Sequence, residues 1–260
     1  MTPQFIAKNH YLLRQTFNLW IDDAMNNAQY GSGIFGGGDI RTLEKKFCTL
    51  FKAQYSVAMA SGTAALHGAL VSLNIKKNSN VIILGSKWIG LKALILAYGA
   101  KPVFLEYHHF VSYVKKINFE GEKQKLVLIY VREAGDDNFL KKVYKICLKN
   151  SIPLIEDWSA LREINLWDND KICAPVYGDF AVFSFGYNKW IQAGEGGIIL
   201  LNRKYYFEKI MCFSQHPISQ KAHSINNFKT NNPGLNYRLH PLAARLVLMQ
   251  LSKYFDVSLS

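Results

Sequence analysis

The sequence predicts an α/β fold of three layers, in which a mostly parallel central sheet lies between helices. From residue 55 onward, short apolar segments alternate with helical segments, a rhythm typical of consecutive β/α units. Several of the apolar segments are continuous, as expected of strands covered on both faces. The chain of 260 residues, 49% of them hydrophobic, is also long enough to bury a sizeable core.

Composition narrows the classes of function. The chain has 31 Lys+Arg against 19 Asp+Glu, a net charge of +12, but the basic residues are scattered in short pairs such as Lys76 and Lys77. This pattern indicates solvated faces, so we expect no nucleic-acid partner. The four cysteines are far apart, which favours free thiols in a reducing compartment over a zinc or disulfide framework. With neither a signal-peptide pattern nor an apolar segment of about 18 residues, we expect a cytoplasmic protein without a membrane partner.

The N-terminal 38 residues precede the alternation. Apolar residues at mostly three- and four-residue spacings predict a helix over residues 5–28. Residues 31–38 then match G-x-G-x-x-G, but a dinucleotide site requires a preceding strand and an acidic residue about 20 positions on. Here a helix precedes the motif and Gln54 lies near the place of the acid. We interpret the segment as a flexible loop leading into a helix over 40–52, with Asp39 as its N-cap.

The first β/α unit suits a bound phosphate. A strand over residues 55–60 is followed by a small-residue turn at 61–63 and a helix over 64–73. Glycine lets the backbone approach an anion, and the amides of Gly62, Thr63 and Ala64 at a helix N-terminus can donate to it. Ser61 acting as an ordinary N-cap explains the same segment equally well.

Further units follow in the same rhythm. Strands are predicted over 81–84, 101–105, 125–131 and 152–157, helices over 88–98, 139–149, 203–213 and 241–254, and a polar, charged excursion over 107–124. Trp88 follows a strand end, where ligands collect in open parallel sheets, so its ring could stack on a planar ligand or belong to the core. Three histidines between residues 216 and 240 lack the mutual spacing of metal ligands, so we expect no metal site.

Two further positions carry candidate chemistry. The strand over 152–157 ends in Glu156 and Asp157, of which only one can face a site because neighbouring strand residues point opposite ways. A helix-capping carboxylate is the alternative. Lys189 lies between two apolar strands, over 179–185 and 197–201. A lysine held out of bulk water becomes a usable nucleophile, whereas a surface lysine in a turn is the ordinary alternative.

Together these motifs resemble the DegT/StrS-type sugar aminotransferases, which use pyridoxal 5'-phosphate (PLP) and have the fold type I architecture. The resemblance spans about residues 30 to 252. The motifs that carry it, in family order, are SGTAAL (61–66), YGAKPVF (98–104), IED (155–157), FSF-x-x-x-K (183–189), GEGG (194–197) and LNYRL (235–239). Several ordered motifs are far more specific than any single one.

The resemblance implies roles for individual residues. Lys189 would hold PLP covalently and move the proton between substrate and cofactor. Asp157 would lie against the pyridine nitrogen and keep it protonated, because a cationic ring is the better electron sink. The other implied contacts are Gly62, Thr63 and Ser184 at the phosphate, Trp88 on the ring and Asn236 at the phosphate of a neighbouring subunit. The role of Asn236 implies a homodimer with a shared site.

The implied reaction is transfer of an amino group, from glutamate, to a keto-sugar or similar cyclic ketone. The chain departs from the family in three places. Ala160 stands where the family usually has Gln or His over the cofactor, and Arg132-Glu-Ala-Gly135 replaces the usual His-Leu-Tyr-Gly. We also expect residues 1–38 to be an N-terminal helix and loop and 39–260 to be the PLP-binding large domain, with the family's small C-terminal domain absent.

These departures leave a second function open. It is a catalytically impaired, PLP-binding homologue that acts as the partner or regulatory subunit of a full-length aminotransferase. A third interpretation, a dehydratase using the same cofactor, is disfavoured, because that branch has a histidine at the position of Lys189.

Overall fold

The structure is a computed structural model that describes most of the chain. The described residues are 38–116, 126–133, 136–161, 176–214 and 234–255, with the short pieces 14–15, 17–19, 21–22, 167–168 and 171–172. Most of the predicted helix over 5–28, the glycine-rich loop over 31–37 and the polar stretch with His216 and His223 lie outside the described residues.

The centre of the protein is a seven-stranded sheet. The strands of the described residues are β1 (Tyr55–Met59), β2 (Asn80–Leu84), β3 (Lys101–Leu105), β4 (Leu126–Val131), β5 (Leu154–Asp157), β6 (Trp167–Asp168), β7 (Lys171–Ile172), β8 (Phe180–Ser184) and β9 (Gly197–Leu201). The sheet order is β1-β9-β8-β5-β4-β2-β3, while β6 and β7 pair separately. β9 runs opposite to the other six strands of the large sheet, which are all parallel to one another. The predicted mostly parallel sheet is therefore confirmed.

Helices cover both faces of this sheet. Those with named bounds are α1 (Gly38–Phe51), α2 (Gly62–Ser72), α3 (Ile89–Ala97), α4 (Tyr107–Lys116), α5 (Asp137–Lys149), α6 (Lys204–Ser214) and α7 (Pro241–Phe255). One apolar core forms between the sheet and α2, α3 and α6. On the opposite face, α1 and α7 cover one half of the sheet and α4 and α5 the other. This is the predicted three-layer arrangement.

Burial on both faces explains why the strand sequences are continuously apolar. Every residue of β4 and of β9 is buried, so alternation with polar residues would place unpaired polar groups in one of the cores. Fully burying a Val, Leu or Ile side chain contributes about 1.5–3 kcal/mol relative to its exposure to water. Among the helices of the described residues, none is long and apolar enough to span a membrane.

Two local predictions are wrong. Residues 107–116 form helix α4 instead of an irregular excursion, because Phe110 and Val114 are buried four residues apart while the polar residues around them hide this periodicity. Asp39 lies inside the first turn of α1, which begins at Gly38. Its carboxylate accepts a hydrogen bond from Arg245 Nε of α7 at 2.7 Å, so it ties two helices together.

The edge strand β1 is covered by α1 through a buried carboxylate. Oε1 of Glu44 accepts the Ala58 backbone N–H at 2.9 Å, and the Glu44 carbonyl accepts the Ser56 hydroxyl at 2.9 Å. Burial raises the pKa of Glu44 to about 7, against the opposing effects of the Ala58 hydrogen bond and the Arg41 charge. Glu44 thus satisfies an edge amide that would otherwise have no partner in the sheet.

Candidate active site

A cavity of about 470 Å³ opens at the carboxyl ends of the central strands. Its size lies within the range of small-molecule and cofactor sites, about 300–1,000 Å³. Its position is where ligands bind in open parallel sheets. The lining residues are Ser61, Gly62, Thr63, Leu66, Ser86, Trp88, Leu91, Val131, Asp157, Ser159, Ala160, Ser184, Gly186, Tyr187, Lys189 and Glu195.

The cavity brings together all but one of the site residues predicted from sequence. Gly62, Thr63, Trp88, Asp157, Ser184 and Lys189 line it. Asn236 is exposed and is not part of the lining. Its contact with the phosphate of a neighbouring subunit stays a prediction.

The N-terminus of α2 forms one end of the cavity. Ser61 is its N-cap, and its Oγ accepts the Ala64 N–H at 3.0 Å. The amide of Ala64 is therefore used by the cap. The amides of Gly62 and Thr63 are left at the N-terminal end of the helix, where the helix dipole favours an anion.

Two glycines allow the backbone to pack tightly at this end. A Cβ added to Gly62 would lie 2.8 Å from Cβ of Ser184, and one added to Gly197 would lie 2.5 Å from the carbonyl carbon of Ser61. Any side chain at either position would push α2 away from the ends of β8 and β9. The close approach sets the Ser184 hydroxyl beside the α2 N-terminus, where it also accepts the Gly186 N–H at 3.3 Å.

Asp157 is the carboxylate that faces the cavity. It ends β5, its side chain is buried, and its Oδ1 accepts the Ser159 N–H at 2.9 Å. Burial raises the pKa of Asp157, opposed by the hydrogen bonding of Ser159 and by the positive charge of Lys189. Glu156 points the other way and accepts the Tyr177 and Gly178 amides at 2.7 and 2.6 Å. As predicted, one carboxylate of the pair faces the site.

Lys189 lies in the loop that joins β8 to β9 and is half-buried. The loop is closed at its base, because Ala193 N–H donates to the Phe185 carbonyl and Phe185 N–H donates to the Gly196 carbonyl, both at 2.8 Å. Gln250 of α7 fixes the loop from outside, since it accepts from the backbone N–H of Gln192 and donates to its carbonyl. The loop that carries Lys189 is therefore held by hydrogen bonds at its base and to α7.

Trp88 precedes α3 and forms part of the cavity wall. Trp88 is 52% exposed, so it is not a core residue. The ring lies across Gly90, because a Cβ added there would come within 2.4 Å of Cη2 and Cζ2 of the indole. Glycine at this position gives the ring its place beside the cavity.

Several lining residues were not predicted from sequence. Ser159 lines the cavity next to Asp157, and its hydrogen bonding lowers the pKa of the Asp157 carboxyl. Tyr187 and Glu195 are exposed on the Lys189 loop and line the cavity. The only sequence signal for Ser159 was its place two residues after Asp157, a common partner spacing for aspartate turns. No signal marked Tyr187 or Glu195 individually.

The donor set fits PLP. Two helix-terminal amides and a hydroxyl suit its phosphate, a buried carboxylate suits its ring nitrogen, and a lysine amine suits its aldehyde. Among the described residues, no group of three or more His, Cys, Asp or Glu side chains could hold a metal ion.

The order of strands in the sheet and the position of the cavity match the large domain of PLP-dependent enzymes of fold type I. Residues 18–258 match the model of the DegT/DnrJ/EryC1/StrS aminotransferase family. The chain belongs to this family.

Solved structures share this fold. A DegT/DnrJ/EryC1/StrS aminotransferase from Brucella abortus has a TM-score of 0.75 at 17% identity, over 98% of this chain and 66% of that one. An aminotransferase from Psychrobacter cryohalolentis has a TM-score of 0.66 at 22% identity, and the match covers 85% of this chain and 57% of that one. The third structure is a GDP-4-keto-6-deoxymannose-3-dehydratase with a trapped PLP-glutamate geminal diamine. Its TM-score is 0.65 at 22% identity, and the match covers 84% of this chain and 61% of that one. The chain thus spans less than two thirds of the length of each.

Proposed function

We propose that the protein is a PLP-dependent aminotransferase that transfers an amino group, from glutamate, to a keto-sugar or similar cyclic ketone in sugar or secondary-metabolite biosynthesis. The observation that carries this proposal is the convergence of Asp157, Lys189 and the α2 N-terminus on one cavity. Family membership supports the reaction class. Glutamate as the donor is supported by the PLP-glutamate adduct of the dehydratase.

Each residue has a defined task in this proposal. PLP, when bound, would supply the electron sink for removal of a proton from the substrate Cα. The amides of Gly62 and Thr63 and the Ser184 hydroxyl bind the phosphate, which the positive end of the α2 dipole also favours. Asp157 holds the proton on the ring nitrogen, because a buried carboxylate gains most from a positive partner. Lys189 Nζ moves the proton at Cα.

We also propose that the protein forms a homodimer in which the two subunits share the active site. Asn236 is exposed and lies outside its own cavity lining, as expected of a residue that reaches a neighbouring subunit. We further propose the division into residues 1–38 and a PLP-binding large domain over 39–260.

The direct test is covalent labelling. Protein purified with PLP is reduced with borohydride, digested and mapped by mass spectrometry. We expect a visible absorbance band before reduction and one labelled peptide that contains Lys189. Lys189→Ala should lose both signals, whereas Lys87→Ala, at an exposed lysine outside the cavity lining, should keep them. Absence of the band and of the label from the unsubstituted protein would overturn the proposal.

A second candidate function is a PLP-binding partner subunit with impaired catalysis. The observation that favours it is Ala160, which lines the cavity where the family usually has Gln or His. Such a protein would acquire the Lys189 label but would not convert PLP to the amine form when glutamate is added. Co-purification with a full-length aminotransferase whose turnover it changes would select this candidate over the first.

A further inference from the structure

A charged cluster lies next to Asp157, and its Arg132 and Glu156 are buried. Arg132, the first residue after β4, is only 4% exposed. Its guanidinium donates to Asp136 from Nε at 2.7 Å and to Asp137 from Nη2 at 2.6 Å, and Nη1 lies 3.5 Å from Oε2 of Glu156. Arg132 stands in the segment that replaces the family's usual His-Leu-Tyr-Gly, so the family pattern assigns it no role.

The cluster holds one aromatic side chain on two sides. The Arg132 guanidinium lies 4.1 Å from the centre of the Trp158 ring, a distance typical of cation–π contacts. The Trp158 Nε1–H donates to Oε2 of Glu156 at 3.2 Å. Glu156 is itself fully buried and is fixed by the Tyr177 and Gly178 amides. Both the face and the edge of the indole are therefore held.

Trp158 connects the two ends of the cavity. It follows Asp157 directly, and its backbone N–H donates to the Val182 carbonyl of β8 at 2.8 Å. Its ring stacks on Phe183, with centroids 5.2 Å apart and planes at 26°. Phe183 in turn precedes Ser184. One indole thus links the carboxylate proposed for the ring nitrogen to the hydroxyl proposed for the phosphate.

We propose that Arg132 and Glu156 hold Trp158 between them and thereby fix the position of the Asp157 carboxylate relative to Ser184. These three residues, Arg132, Glu156 and Trp158, are called the clamp. The inference rests on the proposed function, since these two groups would contact opposite ends of PLP. Arg132 and Glu156 are positioning residues, because they act through Trp158 and do not line the cavity.

The chemistry of the cluster favours positioning over simple stabilisation. Burying ions is costly, and a buried ion pair often stabilises a protein no more than apolar residues of similar volume. A planar guanidinium that stacks and donates in a fixed fork does, however, restrict its partners to one arrangement. Lysine would keep the charge but would lose both the stacking and the fork.

The test compares Arg132→Lys and Trp158→Phe with a control. Trp158→Phe keeps a ring that can stack on Phe183 but removes the N–H that Glu156 accepts. Val143→Ala serves as control, because Val143 is fully buried in the core between the sheet and α5 and belongs neither to the clamp nor to the cavity lining. Three properties are measured: the melting temperature, the Kd for PLP from its absorbance, and hydrogen exchange at the amides of Trp158 and Ser159.

We expect both clamp variants to raise the Kd for PLP about tenfold and to accelerate exchange at these two amides. Val143→Ala should lower the melting temperature while leaving the Kd and the exchange unchanged. The inference is overturned if the clamp variants bind PLP and exchange as the control does at equal loss of stability. If the unsubstituted protein binds no PLP, the proposed function fails and the cofactor role of the clamp fails with it. The exchange rates then still decide whether the clamp fixes the turn after Asp157.

Discussion

Two buried carboxylates in this protein are alike in burial and differ in what surrounds them. Asp157 ends β5, and Glu44 lies under the edge strand β1. Burial raises the pKa of both. Glu44, however, faces the Ala58 backbone amide of β1, while Asp157 faces a cavity that Lys189 also lines. A carboxylate with a raised pKa marks a candidate site only when a cavity and a group of opposite charge lie next to it.

Replacing Asp157 should give the largest effect. Asp157→Asn keeps the shape of the side chain but removes the charge that holds the ring proton, so we expect turnover to fall roughly 10²–10³-fold. Folding should be little affected, since a costly buried charge is removed. Steady-state rates with amino donor and keto acceptor, together with the melting temperature, check this. Comparable turnover in Asp157→Asn and the unsubstituted protein would contradict the role of Asp157.

Replacing Glu44 should change stability instead of activity. Because the folded state holds the Glu44 proton more tightly than the unfolded state, the free energy of unfolding should fall as pH rises from 4.5 to about 7. The total fall from this group is on the order of 3 kcal/mol. Glu44→Gln should lack this slope in urea unfolding at several pH values. If Glu44→Gln also lost PLP binding, the distinction between the two carboxylates would be wrong.

A smaller effect is expected at the phosphate end. Gly62→Ala puts a Cβ 2.8 Å from Cβ of Ser184, so α2 must shift and the Kd for PLP should rise about tenfold, about 1.4 kcal/mol. Gly68→Ala is the matched control on the same helix. Its Cβ would come no closer than 3.4 Å to another atom, the flexible end of Met59, with Cγ2 of Ile210 at 3.6 Å, and alanine is the better helix former. Equal Kd values for the two variants would count against the α2 N-terminus as the phosphate site.

Much of the fold could be predicted because its strands are buried on both faces. β4 and β9 are apolar at nearly every position, and such segments between turns have few other interpretations. Helix α4 was missed because His108, His109, Lys115 and Lys116 dominate its composition while only Phe110 and Val114 reach the core. Local composition does not show which face of a short helix will be buried.

Some residues of the candidate site could likewise be predicted from sequence, and others could not. The place of Asp157 could be predicted because it ends a strand that was clear from sequence, and that of Lys189 because it lies in the loop between two such strands. The clamp could not, because Arg132 meets Glu156 and Trp158 only through the pairing of β4 with β5. The sequence showed that residue 132 departs from the family, but not that three carboxylates surround it.

The central claim is that one cavity binds PLP between Lys189, Asp157 and the α2 N-terminus. A crystal structure of the protein grown with PLP tests it most directly. The account predicts density continuous with Lys189 Nζ, the ring nitrogen at Asp157 and the phosphate at the amides of Gly62 and Thr63. PLP bound elsewhere, or a ring nitrogen turned away from Asp157, would contradict it.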